Sequence, residues 1–197
     1  AKLVGTGVTN TGALGTSVAL SADGNTLAVG GPSDNSLVGA AWVFTRTLTT
    51  WTQQGTKITG ASETGAGQFG VSVDLSSSGN TLAVGGAADN SSVGAVWMYT
   101  RTAGSWSAQG SKLVGSDVTG AGQIGTSVVL SSDGNTLVTG GSFDNTSVGA
   151  VWVFTRVGTS WTQVGNKLTG TGETGSARFG TGLALSSKLL HLYLWLS

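Results

Sequence analysis

Apolar and polar residues alternate with a period of two over short stretches of this chain, and the same stretches return. In GVSVDLS, Val71, Val73 and Leu75 alternate with small or polar neighbours, the pattern of a strand with one buried face. The next run, NTLAVGG from Asn80, is nearly continuously apolar, as in a strand covered on both faces. Ser-Gly-Asn separates the two, replaced by Asp-Gly-Asn elsewhere, and either predicts a tight hairpin. A third run, VGAVWMYTR from Val93, puts Trp97 and Tyr99 on one face and Val96 and Met98 on the other. The fourth, SWSAQGSKLVG from Ser105, is interrupted by Gly110, as an edge strand tolerates. No segment carries helical spacing long enough to compete.

The four runs form a unit that repeats. SADGNTLAVGG starts at Ser21, SSSGNTLAVGG at Ser76 and SSDGNTLVTGG at Ser131, a strict period of 55 residues. Trp42, Trp97 and Trp152 keep it, as do Trp51, Trp106 and Trp161, Arg46, Arg101 and Arg156, and Lys57, Lys112 and Lys167. Four antiparallel strands in tandem units of this size predict an all-β fold, a β-propeller built from 55-residue four-stranded blades. A β-helix would use a shorter period, and an immunoglobulin-like sandwich needs about seven strands. The units run from about 11 to 65, 66 to 120 and 121 to 175, with a partial blade over 176–187. AKLVG at Ala1 matches SKLVG at Ser111, so the chain is expected to open on the end of a fourth strand. That makes three complete units plus partial blades at both ends.

QFGVSVDLSSSGNTLAVGGAADNSSVGAVWMYTR resembles the FG-GAP repeat of integrin-α-type propellers and their bacterial relatives. The Phe-Gly element is Phe69-Gly70 and Phe179-Gly180, softened to Leu14-Gly15 and Ile124-Gly125. The Gly-Ala-Pro element sits at Gly30-Gly31-Pro32, Gly85-Gly86-Ala87 and Gly140-Gly141-Ser142. The resemblance implies a secreted or cell-surface, extracellular protein. It does not bring calcium with it. Where calcium-binding members place alternating carboxylates, this chain has Ala22-Asp23-Gly24-Asn25, Ser77-Ser78-Gly79-Asn80 and Ser132-Asp133-Gly134-Asn135. One acid per loop cannot supply the six to eight oxygens Ca²⁺ prefers, so no metal or other cofactor is expected.

Composition narrows the function further. Charged residues are 9% of the chain, and nine Lys+Arg face nine Asp+Glu. Without clustered positive charge, nucleic acid is a poor partner. No apolar run approaches the roughly 20 residues of a membrane span, so no membrane insertion is expected. There is no Cys, and the one His, His191, lies in the tail, so no nucleophilic triad is readable. The acids form no recurring pair for hydrolysis. GxGxxG occurs at Gly65-Gly67-Gly70, but a strand follows it where a phosphate-binding helix would be needed. No catalytic residue is assigned, and the expectation is a protein that is not an enzyme.

Two recurring features compete between structural and binding roles. Asp34-Asn35, Asp89-Asn90 and Asp144-Asn145 join the second and third strands of every unit, either as Asx-type turns or as polar groups for sugar hydroxyls. Asn90-Ser91-Ser92 and Asn145-Thr146-Ser147 also match the glycosylation sequon. Trp42, Trp97 and Trp152 suit packing between blades. Trp51, Trp106 and Trp161 open the outer strand and could stack on a pyranose ring of a glycan. The Arg and Lys at the blade rim are expected to snorkel.

The tail, over 188–197, breaks the pattern. LLHLYLWLS takes the place of a second strand without its turn, alternating Leu192, Leu194 and Leu196 with His191, Tyr193 and Trp195. Open blade faces invite another copy. Leu192, Tyr193, Leu194, Trp195 and Leu196 are therefore expected at an interface. The chain's partner would be itself, as a homo-oligomer or filament joined head to tail. The leading expectation is structural assembly or adhesion, and the alternative is a lectin-like propeller with one site per blade.

Overall fold

Each 55-residue unit folds into one antiparallel sheet whose strands follow chain order. A computed structural model describes residues 2–172 and 175–186, and the backbone of 192–195. Sheet 1 holds β1 (Ser17–Leu20), β2 (Thr26–Gly31), β3 (Ala40–Thr47) and β4 (Thr50–Gln53). Sheet 2 repeats it with β5 (Ser72–Leu75), β6 (Thr81–Gly86), β7 (Ala95–Thr102) and β8 (Ser105–Ala108). Sheet 3 has β9 (Ser127–Leu130), β10 (Thr136–Gly141), β11 (Ala150–Val157) and β12 (Ser160–Gln163). A two-stranded sheet, β13 (Gly182–Leu185) with β14 (Leu192–Trp195), ends the described chain.

The hairpins form where Ser/Asp-Gly-Asn predicts them. In the first turn Asp23 accepts from Ser21 Oγ at 2.5 Å and from the backbone N–H of Asn25 at 3.0 Å, and Gly24 takes φ +68°. Asp133 repeats both bonds. These bonds, led by the serine hydroxyl, hold both carboxyls below the usual carboxylate range. The loop's acid is thus engaged within its own turn. Among the described residues no group of three His, Cys, Asp or Glu could hold a metal ion.

Successive sheets stack by placing a bulky face on a small one. The face of sheet 2 carrying Val73, Leu75, Leu82, Val84, Trp97 and Tyr99 covers Ala28, Ala41 and Val43 of sheet 1 in a single cluster. Sheet 3 repeats this with Leu130, Leu137, Trp152 and Phe154 against Ala83, Val96 and Met98 of sheet 2. Alanines on the receiving strands leave room for the indoles, so large and small residues interdigitate. First strands lie side by side, β1 by β5, β5 by β9 and β9 by β13, and backbone bonds link their turns from Ala22 N to Ser77 O and from Ser77 N to Ser132 O.

The Phe-Gly element is the hinge of this stacking. Phe69 is fully buried and packs edge-on to Trp97 at 5.3 Å and to Tyr99 at 6.2 Å. Its backbone pairs in parallel with Gly39, at the start of the third strand of the preceding sheet. Ile124 makes the same bridge to Gly94 and is as fully buried, so shape, rather than aromaticity, is what this position needs. Gly94 has φ +80°, and a Cβ there would lie 2.2 Å from Ile124 O. Only glycine lets the two backbones meet.

Two expectations meet the structure differently at the chain ends. Residue Leu3 lies against the cluster of Val29, Ala40, Trp42 and Phe44 in sheet 1, so the opening segment covers the first sheet. In the tail, β14 pairs antiparallel with β13, Leu183 opposite Leu194 and Ala184 opposite Tyr193. Leu192, Tyr193, Leu194 and Trp195 therefore extend a partial sheet, as a capping strand would. His191 and Leu196 lie outside the described residues.

Candidate functional site

The chemistry of this molecule is concentrated in three recurring side-chain arrangements, two around each sheet's own loops and one that crosses the joints between sheets. The first is a buried ion pair. Asp34, Asp89 and Asp144 are completely buried, and Lys57, Lys112 and Lys167 reach them at 2.5, 2.6 and 2.6 Å. The same carboxylates accept from the backbone N–H of Thr9, Thr64 and Thr119, on the strap entering each sheet. Burial pushes the Asp34 carboxyl up, but the Lys57 and Thr9 hydrogen bonds outweigh it and hold it below its ordinary value. The lysines were expected to snorkel at the rim. They turn inward because a buried carboxylate needs a counter-charge. Each aspartate ties the strap, the second-to-third-strand loop and the end of the fourth strand together, where an Asx turn would bond only its own backbone.

The asparagines beside them do the opposite. Asn35, Asn90 and Asn145 are exposed and begin a left-handed turn, with φ of +48°, +50° and +48°. The next two residues share that hand: Ser36 and Leu37, Ser91 and Ser92, Thr146 and Ser147. Three consecutive non-glycine residues in this region are costly, above all for β-branched Thr146. The bond from Gly39 N to Asp34 O and its repeats close the turn over the buried aspartate. The loop thus offers solvent its asparagines and hydroxyls and keeps its carboxylate inside.

The third arrangement is a latch on the outer strands. Arg46, Arg101 and Arg156 stack on Trp51, Trp106 and Trp161, 5.4–5.6 Å from the ring centroid. Each guanidinium also holds the hairpin asparagine of its own sheet, Asn25, Asn80 or Asn135. Across the joint, Gln54 Oε1 of sheet 1 accepts from Arg101 Nη1 at 3.2 Å and from Trp106 Nε1 at 3.1 Å. Gln109 of sheet 2 does the same for Arg156 at 3.1 Å and Trp161 at 2.9 Å. These glutamines did not stand out in the sequence, although Gln54 and Gln109 keep the 55-residue period and Val164 breaks it.

Trp51, Trp106 and Trp161 are half-buried, and beside the last two lies a groove at the joint. The first groove, about 330 Å³, is lined by Gln54, Lys57, Ile58, Tyr99, Ser105 and Trp106. The second, about 350 Å³, is lined by Gln109, Lys112, Leu113, Ser160 and Trp161 among others. One titratable group stands apart. Glu63 occupies the strap position held by Val8 and Val118 in the neighbouring units; its Oε1 accepts from Gly67 N, and its buried Oε2 has no partner.

No protein-family model and no curated protein matches the chain. Among solved structures, Sqt1 of Saccharomyces cerevisiae is similar with a TM-score of 0.53 at 15% identity, over 79% of this chain and 35% of that one. TolB from Acinetobacter baumannii is similar at a TM-score of 0.49 and 12% identity, over 90% of this chain and 36% of that one. The chain spans about a third of the length of either structure. At such identity the likeness to Sqt1 speaks for fold alone: an all-β chain of repeated four-stranded antiparallel sheets in propeller-like array.

Proposed function

We propose that the protein is a non-enzymatic repeat scaffold of FG-GAP type that works outside the cell by joining blades between chains, in structural assembly or adhesion. One observation carries this. Val18 and Leu20 on β1 are 62% and 55% exposed, whereas of their equivalents Val73, Leu75 and Leu130 are 6–7% exposed and Val128 is half-buried, packed against the preceding sheet. Among the described residues two large apolar side chains thus stand uncovered at the β1 edge of a face whose Val29, Trp42 and Phe44 are buried. In the simplest assembly a second copy covers them, its partial β13–β14 sheet against sheet 1, head to tail. The contact yields a ring if the rotation closes and a filament if it does not.

Light scattering and electron micrographs of one dilute sample test this. A discrete multiple of 19.5 kDa or a fibre is expected for the wild type. Burying one such side chain contributes about 1.5–3 kcal/mol, so the double substitution Val18→Lys, Leu20→Lys is expected to loosen association at least tenfold. A wild-type monomer in that sample, and still a monomer when it is concentrated, refutes the proposal.

The grooves beside Trp106 and Trp161 favour a second reading, a lectin-like protein with one saccharide site per joint. An indole face next to amide and hydroxyl groups suits a sugar ring. Calorimetric titration with neutral oligosaccharides should then give about two sites per chain, lost in Trp106→Ala combined with Trp161→Ala. Unchanged binding in that variant removes the grooves from consideration.

A further inference from the structure

The straps that enter the three sheets are tied differently, and the second is tied least at its start. In the first, the backbone N–H of Thr6 donates to Gln53 Oε1 at 2.7 Å, and in the third that of Ser116 donates to Gln163 Oε1 at 2.9 Å. Ala108 stands in the glutamine's place in the second unit, and among the described residues the backbone N–H of Ala61 has no acceptor. Ser62 follows in the left-handed region at φ +58°, where the first strap has Gly7 at φ +75°. A serine carries this backbone at a cost that glycine escapes. Glu63 comes next, with Oε1 accepting from Gly67 N at 2.8 Å and Oε2 buried without a partner. Firm ties lie on either side: Tyr99 Oη donates to Thr59 O at 2.8 Å, and Thr64 N donates to Asp89 Oδ1 at 2.7 Å. Between them, Trp97 Nε1 and Lys112 Nζ donate to the carbonyls of Ala61 and Ser62.

This short segment lies on aromatic rings. A Cβ on Gly60 would meet Phe69 Cδ2 at 3.0 Å and Trp97 Cε2 at 3.1 Å, the two rings that fill the joint with sheet 1. We infer that residues 60–63 form a flap, closed while the Glu63 carboxyl keeps its proton and lifted to hydrate Oε2 once the proton is lost, uncovering Trp97 and Phe69. A neutral carboxyl tolerates a buried oxygen without a donor far better than a carboxylate does. The charged and titratable groups acting on it are Asp89 after β6, Lys112 beyond β8 and Tyr99 on β7; among the described residues none comes from sheet 1. Burial, joined by the Asp89 charge, raises the carboxyl to about 7 against the Gly67 bond and Lys112. The flap is therefore closed in mildly acidic solution and opens in mildly alkaline solution. Val8 and Val118 hold the equivalent place in the first and third straps, which have no such trigger.

Indole exchange, followed by ¹⁵N resonances in the full chain, tests this because each strap accepts one indole N–H. Trp42 donates to Thr6 O, Trp97 to Ala61 O and Trp152 to Asp117 Oδ1. Burial raises the Asp117 carboxyl, but bonds from Lys167 N, Trp152 and Gln163 outweigh it and hold it below its ordinary value, so this control does not titrate near neutrality. Intrinsic exchange accelerates with pH alike for all three, and the ratio of Trp97 to the other two reports the flap. That ratio should rise by about threefold or more between pH 6 and pH 8. It should stay constant in Glu63→Gln, which keeps an acceptor for Gly67 N, and in Glu63→Val. Ala108→Gln, which supplies the missing tie, should lower the ratio at both pH values, and no change there would overturn the loosely tied strap. If all three indoles accelerate together beyond the intrinsic rate, the carboxyl acts on the whole fold and there is no flap. If the ratio rises in Glu63→Gln as well, Glu63 is not the trigger. A wild-type ratio that ignores pH overturns the proposal outright.

Discussion

Replacing Glu63 by valine should stabilise the protein, and increasingly so as pH rises above the mildly acidic range. The carboxyl occupies a strap position where Val8 and Val118 pack into apolar clusters. Its oxygens face Gly60 and Gly67, with Phe69 and Trp97 also beside Gly60. Burial, with the Asp89 charge adding to it against the Gly67 bond and Lys112, pushes its pKa to about 7 from 4.5. The folded state therefore keeps this proton up to about pH 7, whereas the unfolded chain releases it near pH 4.5. Stability falls as pH rises across that window. At 1.36 kcal/mol per pH unit the full shift would correspond to about 3 kcal/mol, and half-exposure to solvent reduces this to about 1–2 kcal/mol. Asp74, raised by burial to about 6 from 3.8, acts in the same direction but finishes earlier. Urea denaturation at several pH values separates the two. Of the full loss, wild type should show only about 1 kcal/mol between pH 6 and pH 8, and Glu63→Val about 0.3 kcal/mol there, from the end of the Asp74 titration. Glu63→Gln, which keeps the acceptor for Gly67 N, should flatten the same window without the gain from apolar packing. Parallel wild-type and Glu63→Val profiles above pH 6 would refute the reasoning.

Lys112→Met leaves Asp89 buried without its counter-charge and should cost about 3 kcal/mol, read as a lower urea midpoint with unchanged m-value. Adding Asp89→Leu to that variant should recover part of the loss, and a still less stable double variant would show that the strap bond to Thr64 outweighs the ion pair. Gly94→Ala forces a Cβ to 2.2 Å from Ile124 O at φ +80° and should cost at least about 2 kcal/mol, whereas Gly110→Ala, with φ +74° and nothing within 4 Å, should cost only about 1 kcal/mol. Equal losses for the two would mean that backbone hand, and no close approach, sets the need for glycine.

Much of this architecture was legible because its information is local or periodic. Alternation around Val73, the continuous apolar run at Leu82–Val84 and the Gly-Asn turns gave each strand its place, and the 55-residue period gave the unit. The joints were harder, because their partners lie 23 to 52 residues apart in different strands. Asp89 and Lys112 both recur in every unit, yet recurrence alone says that each matters and leaves open that one neutralises the other. Only the fourth strand's return under the second-to-third-strand loop brings them together. That placement also separates the two members of each Asp-Asn pair: the aspartate is buried on its lysine, and the asparagine faces solvent.

Broken periodicity proves as informative as periodicity. Glu63 alternates with Val8 and Val118 at one strap position, which Glu173 takes next in the sequence, and becomes a pH-sensitive point in its strap. Val164 interrupts a glutamine column, at the joint where the next sheet, as described, has no outer strand to latch. Val18 and Leu20 break no pattern at all. Their residue types match those of Val73 and Leu75, yet they are 62% and 55% exposed among the described residues. A repeat unit that is apolar on both faces cannot satisfy itself: each sheet supplies a bulky face to one neighbour and a small face to the other. The joint between two sheets, more than the single sheet, is therefore the unit in which the side chains of this repeat are satisfied.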